Sequence, residues 1–214
     1  DADMEKFVAG IIAKNEETTK KVVAKSKVKL SVNDENGNRI VRSEETNIGD
    51  FCADAYKTVL GADIGLIQGG GIRADIAVGD VTYGDVMAVS PFENHICFLS
   101  MTGEVLTELF SQMAFTGGEC VSKGVKLVFT KDGKLKSASL NGKTIDPKAK
   151  YRIATIDFLA QGNDKMLAFK KKIDYVGFDD PEHNAREVLA KYFSYMKEHG
   201  IKVEPKVEGR VVVE

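Results

Sequence analysis

Ile64-Gly65-Leu66-Ile67-Gln68-Gly69-Gly70-Gly71-Ile72-Arg73 is the stretch on which the reading of this chain turns. Ile64–Gln68 is a short apolar run of strand length, and three glycines end it. A loop without Cβ atoms takes positive φ values or lets backbone approach a ligand closely. The glycines do not have Gly-x-Gly-x-x-Gly spacing, and Gly-x-x-x-x-Gly-Lys-Ser/Thr does not occur, so neither a dinucleotide fingerprint nor a P-loop is present. Arg73 follows the loop directly. Backbone N–H groups plus a planar guanidinium make an anion clamp. The same residues also allow a tight turn with a surface ion pair between Arg73 and Asp75.

Upstream, Asn47 is expected to cap a helix reaching Leu60, with Gly61 as its stop. Lys27–Ser31 and Arg39–Arg42 flank Asn36-Gly37 and predict a hairpin. Met4, Phe7, Val8, Ile11 and Ile12, continued by Thr19, Val22 and Val23, recur at helical spacing and predict an amphipathic helix over 3–24. Downstream, a strand at Val81–Tyr83 runs into a short helix ending at Val89, and His95–Met101 reads as a buried strand. Thr102 caps a helix with Val105, Leu106, Leu109, Phe110 and Met113 on its apolar face, ended by Gly117-Gly118. Val125–Thr130, Leu135–Leu140 and Tyr151–Asp157 read as a three-strand meander. Asp180-Pro181 predicts a helix start, Gly200 its end, and Arg210–Val213 a last strand. Helices and strands mix without a regular βαβ repeat. The expected class is α+β, one domain with a mixed β-sheet flanked by helices.

Composition narrows the function classes. The 214 residues are 43% apolar and 29% charged, with a net charge of −2, as in an ordinary globular domain without a nucleic-acid footprint. No apolar run approaches the ~20 residues of a membrane span, and residues 1–12 lack a secretory h-region. The chain begins at Asp1, so it is expected to be a processed product or a piece of a longer protein. Cys52, Cys97 and Cys120 lack metal-ligand spacing, and their odd number excludes a disulfide framework. His95, His183 and His199 are scattered, and a hydrolytic metal centre needs several ligands converging. No metal site and no nucleophile–base pair is read in this chain.

What remains is binding. Ser90-Pro91-Phe92-Glu93-Asn94 presents a ring after a proline-stiffened turn. Asp157-Phe158-Leu159-Ala160-Gln161-Gly162-Asn163-Asp164 presents another at a strand end, followed by an acid. Two such rings either stack a flat base between them or belong to the core. A nearby carboxylate can accept both hydroxyls of a ribose. Within this loop Asn163 can adopt a left-handed conformation, which Lys165 adopts at greater cost.

Glu45-Thr46-Asn47-Ile48-Gly49, Gly69-Gly70-Gly71-Ile72-Arg73, Pro91-Phe92 with Asn94, Gly162 with Asp164, and the closing Glu208-Gly209-Arg210-Val211 resemble, in order and spacing, the signature segments of the 5′-nucleotidase C-terminal domain. The resemblance implies a linker helix at 1–25 and a nucleotide-binding domain at 26–214. Phe92 and Phe158 resemble the rings that sandwich the base, and Asp164 the acid that binds ribose hydroxyls. Arg73 and Arg42 resemble arginines on the phosphate or ribose side. Gln68 stands where the family often has Asn, and Gly70 and Gly71 belong to the same loop. The family further implies a secreted, periplasmic or cell-surface hydrolase of nucleoside 5′-phosphates. Its two divalent metal ions and its chemistry sit on an N-terminal domain that these residues do not include. The alternatives are a non-catalytic nucleoside-binding module, or a structural, dimerising domain. Expected partners are a nucleoside or nucleotide and that N-terminal domain, with no nucleic acid and no membrane span.

Overall fold

The computed structural model of the chain describes residues 4–5, 16–114 and 119–214. Of the helix expected over 3–24, Met4–Glu5 and Glu16–Thr19 are helical, and residues 3 and 6–15 lie outside the described part. Residues 22–24 are not helix. Val22–Ser26 is strand β1, paired antiparallel with β3 (Gly79–Thr82). Its β-branched valines match a helical stripe by spacing, but its backbone is satisfied by the neighbouring strand. The hairpin expected over 27–42 reduces to isolated bridges, Leu30 with Ile76 and Asn33 with Arg39. Asp75 reorganises this loop. Its carboxylate accepts from the Val32 N–H (2.7 Å) and the Ser31 hydroxyl (3.1 Å), and pairs with Lys29.

Helix α1 spans Asn47–Leu60, and its cap is Thr46 rather than Asn47. Thr46 Oγ1 accepts from the Gly49 N–H at 3.2 Å. Asn47 instead ties the preceding loop, accepting from the Ser31 N–H and donating to the Lys29 carbonyl, both at 2.9 Å. Gly61 closes the helix at φ 62°. β2 (Ile64–Ile67) follows, buried at every residue. After β3 come α2 (Tyr83–Val89), β4 (Ile96–Thr102) and α3 (Gly103–Met113), the two helices capped by Thr82 and Thr102. The glycines at 117–118, expected to end α3, lie outside the described residues.

The meander is where pattern and structure part. β6 (Val125–Phe129) and β7 (Leu135–Leu140) do pair, but their neighbours are the short β8 (Lys143–Thr144) and, parallel to β6, β11 (Val211–Val213). β9 (Lys150–Ile156) leaves for the other sheet, in the order β10-β4-β9-β2-β5, where β5 is Cys120–Val121 and β10 is Asp174–Gly177. Alternation sets which face of a strand is buried, not which strand lies beside it. β9 runs into the short α4 (Asp157–Ala160). Asp180-Pro181 opens a single 3-10 turn, and α5 (Ala185–Glu198) starts afresh with Asn184 as its cap.

α1 packs against β2, β5 and β9, and α5 packs on α1. Phe51 meets Phe193 at 4.5 Å between ring centres and Tyr192 at 5.1 Å. Phe193 is buried, and burying such a ring fully contributes about 1.5–3 kcal/mol. All three cysteines are free and buried.

The C-terminal segment is fastened to α1 electrostatically. Glu45 accepts three backbone N–H groups, from Glu208 (2.7 Å), Gly209 (3.0 Å) and Val211 (2.9 Å). Arg210, 6% exposed, donates two parallel hydrogen bonds to Asp54, both at 2.9 Å, and one to the Val121 carbonyl at 3.0 Å. Asp50 Oδ2 lies 3.3 Å from Arg210 Nε. Burial pushes the Asp50 carboxyl up to about 9, against the pull of Arg210, with Glu45 and Asp54 as like-charged neighbours.

A carboxyl that titrates near 9 when folded and near its ordinary value when unfolded contributes stability below the unfolded value. That contribution disappears as pH rises through about 9. Asp50→Asn keeps the shape and removes the proton. The variant should gain stability over the parent as pH rises from about 5 to 9, read from urea midpoints across that range. A constant difference between the two proteins would contradict the assignment.

Candidate functional site

β2 and β9 are parallel, and β4 is antiparallel to β9. The C-terminal ends of β2 and β9 and the N-terminal end of β4 therefore open on one side of the sheet. Three loops meet there: Gln68–Arg73 after β2, Phe92–His95 before β4, and Phe158–Asp164 after β9. They enclose a cleft of about 230 Å³ lined by Arg42, Gln68, Gly70, Arg73, Phe92, Asn94, Phe158 and Asp164. The cleft gathers every candidate residue except Gly71, which is buried beneath it, and adds Asn94.

Gly69–Gly71 forms one 3-10 turn. Its glycines are required by closeness rather than by φ. A Cβ on Gly69 would lie 1.9 Å from the Val41 carbonyl oxygen, and one on Gly70 would lie 1.8 Å from Arg42 Nη2. Two of the three glycine N–H groups expected to clamp an anion are engaged within the protein. The Gly69 N–H is donated to Glu119 Oε2 at 2.5 Å and the Gly71 N–H to the Gln68 carbonyl at 3.0 Å. The loop offers carbonyls to arginines instead. Arg73 donates to the Gly70 carbonyl at 3.2 Å, and Arg39 to those of Gly69 (3.3 Å) and Ile72 (2.5 Å). Burial, with Arg73 and Arg42 as like-charged neighbours, pulls the Arg39 guanidinium below its ordinary range. The turn thus anchors guanidinium groups, and those groups supply the donors.

The pairing of Arg73 with Asp75 is not formed. Asp75 is taken by Lys29, the Ser31 hydroxyl and the Val32 N–H, while the Arg73 guanidinium sits 6.0 Å from the centre of the Phe92 ring. Phe92 and Phe158 are 45% and 37% exposed, so neither is a core ring. Asn163 does not take the left-handed conformation. Its amide donates to the Phe158 carbonyl at 2.8 Å, and the strain passes to Asp164 (φ 53°) and Lys165 (φ 64°). Each costs about 1–2 kcal/mol for a residue with a Cβ. Asp164 lines the cleft, where its Oδ2 lies 3.7 Å from Arg42 Nη1. Gln68 is 5% exposed, yet its Oε1 has no hydrogen-bond partner among the described residues. An unpaired buried amide oxygen costs about 1–3 kcal/mol, which a ligand donor would offset.

Arg39 is the residue that sequence reasoning passed over, and Asn94, part of a signature segment, is assigned no role at the site by that reasoning. Arg39 shares a loop with Arg42, and Asn94 closes the Pro91-Phe92-Glu93-Asn94 turn. A larger cleft of about 470 Å³ lies between Glu93, Glu182 and Arg186, where Arg186 is paired with Glu93 and Lys191 with Glu182. Among the described residues, no group of three or more His, Cys, Asp or Glu converges to hold a metal ion, and no helix is long and apolar enough to cross a membrane.

A family model described as the 5′-nucleotidase C-terminal domain matches residues 22–171. Protein UshA of Escherichia coli is 36% identical over 148 residues, covering 66% of this chain and 27% of that protein. A 5′-nucleotidase of Vibrio cholerae is 30% identical over 196 residues, covering 90% of this chain and 34% of that protein. This chain thus spans about a third or less of the length of these relatives. The structure of the 5′-nucleotidase precursor from Thermus thermophilus superimposes with a TM-score of 0.80 over 98% of this chain and 42% of that one, at 24% identity, and so attests the fold.

The two glycine contacts differ in kind, and so should their substitutions. Gly69→Ala drives a methyl into backbone and should lower stability by about 2 kcal/mol or more. Gly70→Ala meets only the flexible end of Arg42. It should leave the unfolding free energy within about 1 kcal/mol of the parent while displacing that guanidinium from the cleft. Urea denaturation of both variants checks the ordering.

Proposed function

The chain belongs to the 5′-nucleotidase C-terminal domain family, and on that premise we propose that it is the nucleotide-recognition part of a hydrolase that releases phosphate from nucleoside 5′-phosphates. The observation carrying this is the convergence of two exposed phenylalanines, two arginines, an unpartnered buried amide and a strained aspartate in one cleft. Exposed rings facing one cleft suit a flat heterocycle, and stacking contributes about 1–3 kcal/mol per base. Asp164 accepts from ribose hydroxyls. Arg42 and Arg73 lie on the side where the 5′-phosphate enters. Gln68 Oε1 waits for a donor on the sugar or base.

At about 230 Å³ the cleft falls short of the ~300–1,000 Å³ usual for small-molecule sites. That fits a site whose remaining wall and reacting groups are on another domain. The two divalent metals of the family have no ligand set among the described residues of this chain, and the proposal assigns them to the N-terminal domain. What this chain supplies is orientation. Binding energy away from the reacting bond fixes the phosphate for attack. Residues 1–25 would link the two domains, and the parent protein would act in the periplasm, at the cell surface or outside the cell.

Calorimetric titration with adenosine, uridine and AMP tests the reading. Each should bind saturably. Phe92→Ala with Phe158→Ala should weaken all three by roughly tenfold or more. Arg42→Ala and Arg73→Ala should weaken AMP more than adenosine. The chain alone, with added divalent metal, should not hydrolyse AMP, and robust turnover by the pure chain would refute the division of labour.

A further inference from the structure

The ligand cleft and the larger cleft share one stretch of chain. Phe92 and Asn94 line the first, while Glu93 between them lines the second together with Asn184 and Arg186. Successive side chains of an extended chain face opposite sides, so Glu93 lies on the reverse of the two cleft residues. There its carboxylate is gripped by the start of α5. Asn184 Nδ2 donates to Oε2 at 3.1 Å, and Arg186 Nη2 donates to Oε1 at 2.8 Å. Asn184 is buried, and its Oδ1 accepts from the Arg186 N–H at 3.0 Å, so the two donors are held as a unit.

The backbone here has two anchors. Upstream, the Val89 carbonyl accepts from the Arg73 N–H at 2.9 Å. Downstream, the Asn94 carbonyl accepts from the Ala185 N–H at 2.8 Å, and His95 is bridged to Asn184. Between these anchors Pro91, Phe92 and Glu93 make no backbone-to-backbone hydrogen bond among the described residues. The Glu93 carboxylate is therefore the tie nearest the Phe92 ring, which is itself exposed. We propose that Glu93 is a positioning residue: held by Asn184 and Arg186, it keeps Phe92 over the cleft and Asn94 turned into it. The proposal rests on the nucleotide reading above and adds to it what sets the ring in place.

α5 is a firm support for such a tie, because Phe193 packs on Phe51 of α1. An ion pair whose carboxylate faces solvent contributes little to folding, and the Glu93 side chain is 75% exposed. Its effect is on placement. A ring held over the cleft before the ligand arrives removes part of the ordering cost that a free ring adds to binding. Losing the tie is therefore expected to weaken base binding while leaving stability nearly unchanged.

Fluorine NMR and calorimetry of the 214-residue chain test this. With fluorophenylalanine incorporated, the Phe92 line is the one missing from Phe92→Leu. In the ligand-free chain, Glu93→Ala and Arg186→Ala should each shift or broaden that line and leave the line of buried Phe110 in place. Thermal midpoints should stay close to the parent's. Each variant should bind adenosine roughly threefold to fivefold more weakly, the limit for an exposed pair. The double variant should be no weaker than either single one, because both remove the same tie. Ribose 5-phosphate, which has no base, should bind all four proteins alike. An unmoved Phe92 line, additive losses in the double variant, or an equal loss of ribose 5-phosphate binding would each overturn the proposal. Failure of the parent to bind adenosine would refute the nucleotide reading instead, and the Phe92 line would still decide whether Glu93 holds the ring.

Discussion

The cleft depends on space that two missing Cβ atoms leave. Gly69 lets the Val41–Arg42 backbone run against the turn, and Gly70 lets the Arg42 guanidinium lie on it. With that closeness the turn's carbonyls reach Arg39 and Arg73. Three like charges are then held around one short loop, although their mutual repulsion and partial burial oppose it. A Cβ at Gly69 would push the loop off the Val41–Arg42 backbone, and one at Gly70 would displace the Arg42 guanidinium. A phosphate-bearing ligand suits the assembled group because guanidinium donors are directional and weakly hydrated.

A second constraint holds the frame behind the cleft. Glu45 gathers three N–H groups of the closing segment, and Arg210 spans Asp54, Asp50 and Glu208. The chain's last strand is thereby fixed to the helix that carries β2 into place. Two of the segments that resemble the family, around Glu45 and around Arg210, are thus one structural contact seen from its two ends. Neither lines the cleft. Similarity of such segments reports the frame, while the rings, Arg42, Arg73 and Asp164 line the cleft.

Part of the chain's backbone strain and unpaired polarity falls where the ligand is proposed to sit. Asp164 and Lys165 hold left-handed backbone without glycine, and Gln68 buries an amide oxygen without a partner. Outside the cleft, Asn141 is also left-handed (φ 52°), and the Tyr56 and Thr155 hydroxyls and Arg186 Nε are buried without a hydrogen-bond partner among the described residues. Sites commonly concentrate such costs, because the geometry a ligand needs is not the one the free chain prefers.

The sequence by itself determined the α+β class, the helix stops and most strands, because caps, glycines and apolar alternation act over a few residues. Thr102 capping α3 and Gly61 ending α1 are of this local kind. It also supplied the residues of the cleft, through their order along the chain. Only the tertiary structure decided which strands are neighbours: β9 leaves the meander, β11 runs parallel to β6, and β10 forms an edge that no pattern announced. It alone turned Val22–Ser26 from helix to strand, because the partner that satisfies that backbone, Gly79–Thr82, is more than fifty residues away. It alone showed that the glycine turn lends its carbonyls to arginines while two of its own N–H groups are taken up inside the protein. The reason in each case is that hydrogen-bond partners and close approaches between distant segments are settled by packing, and spacing along the chain carries no record of them.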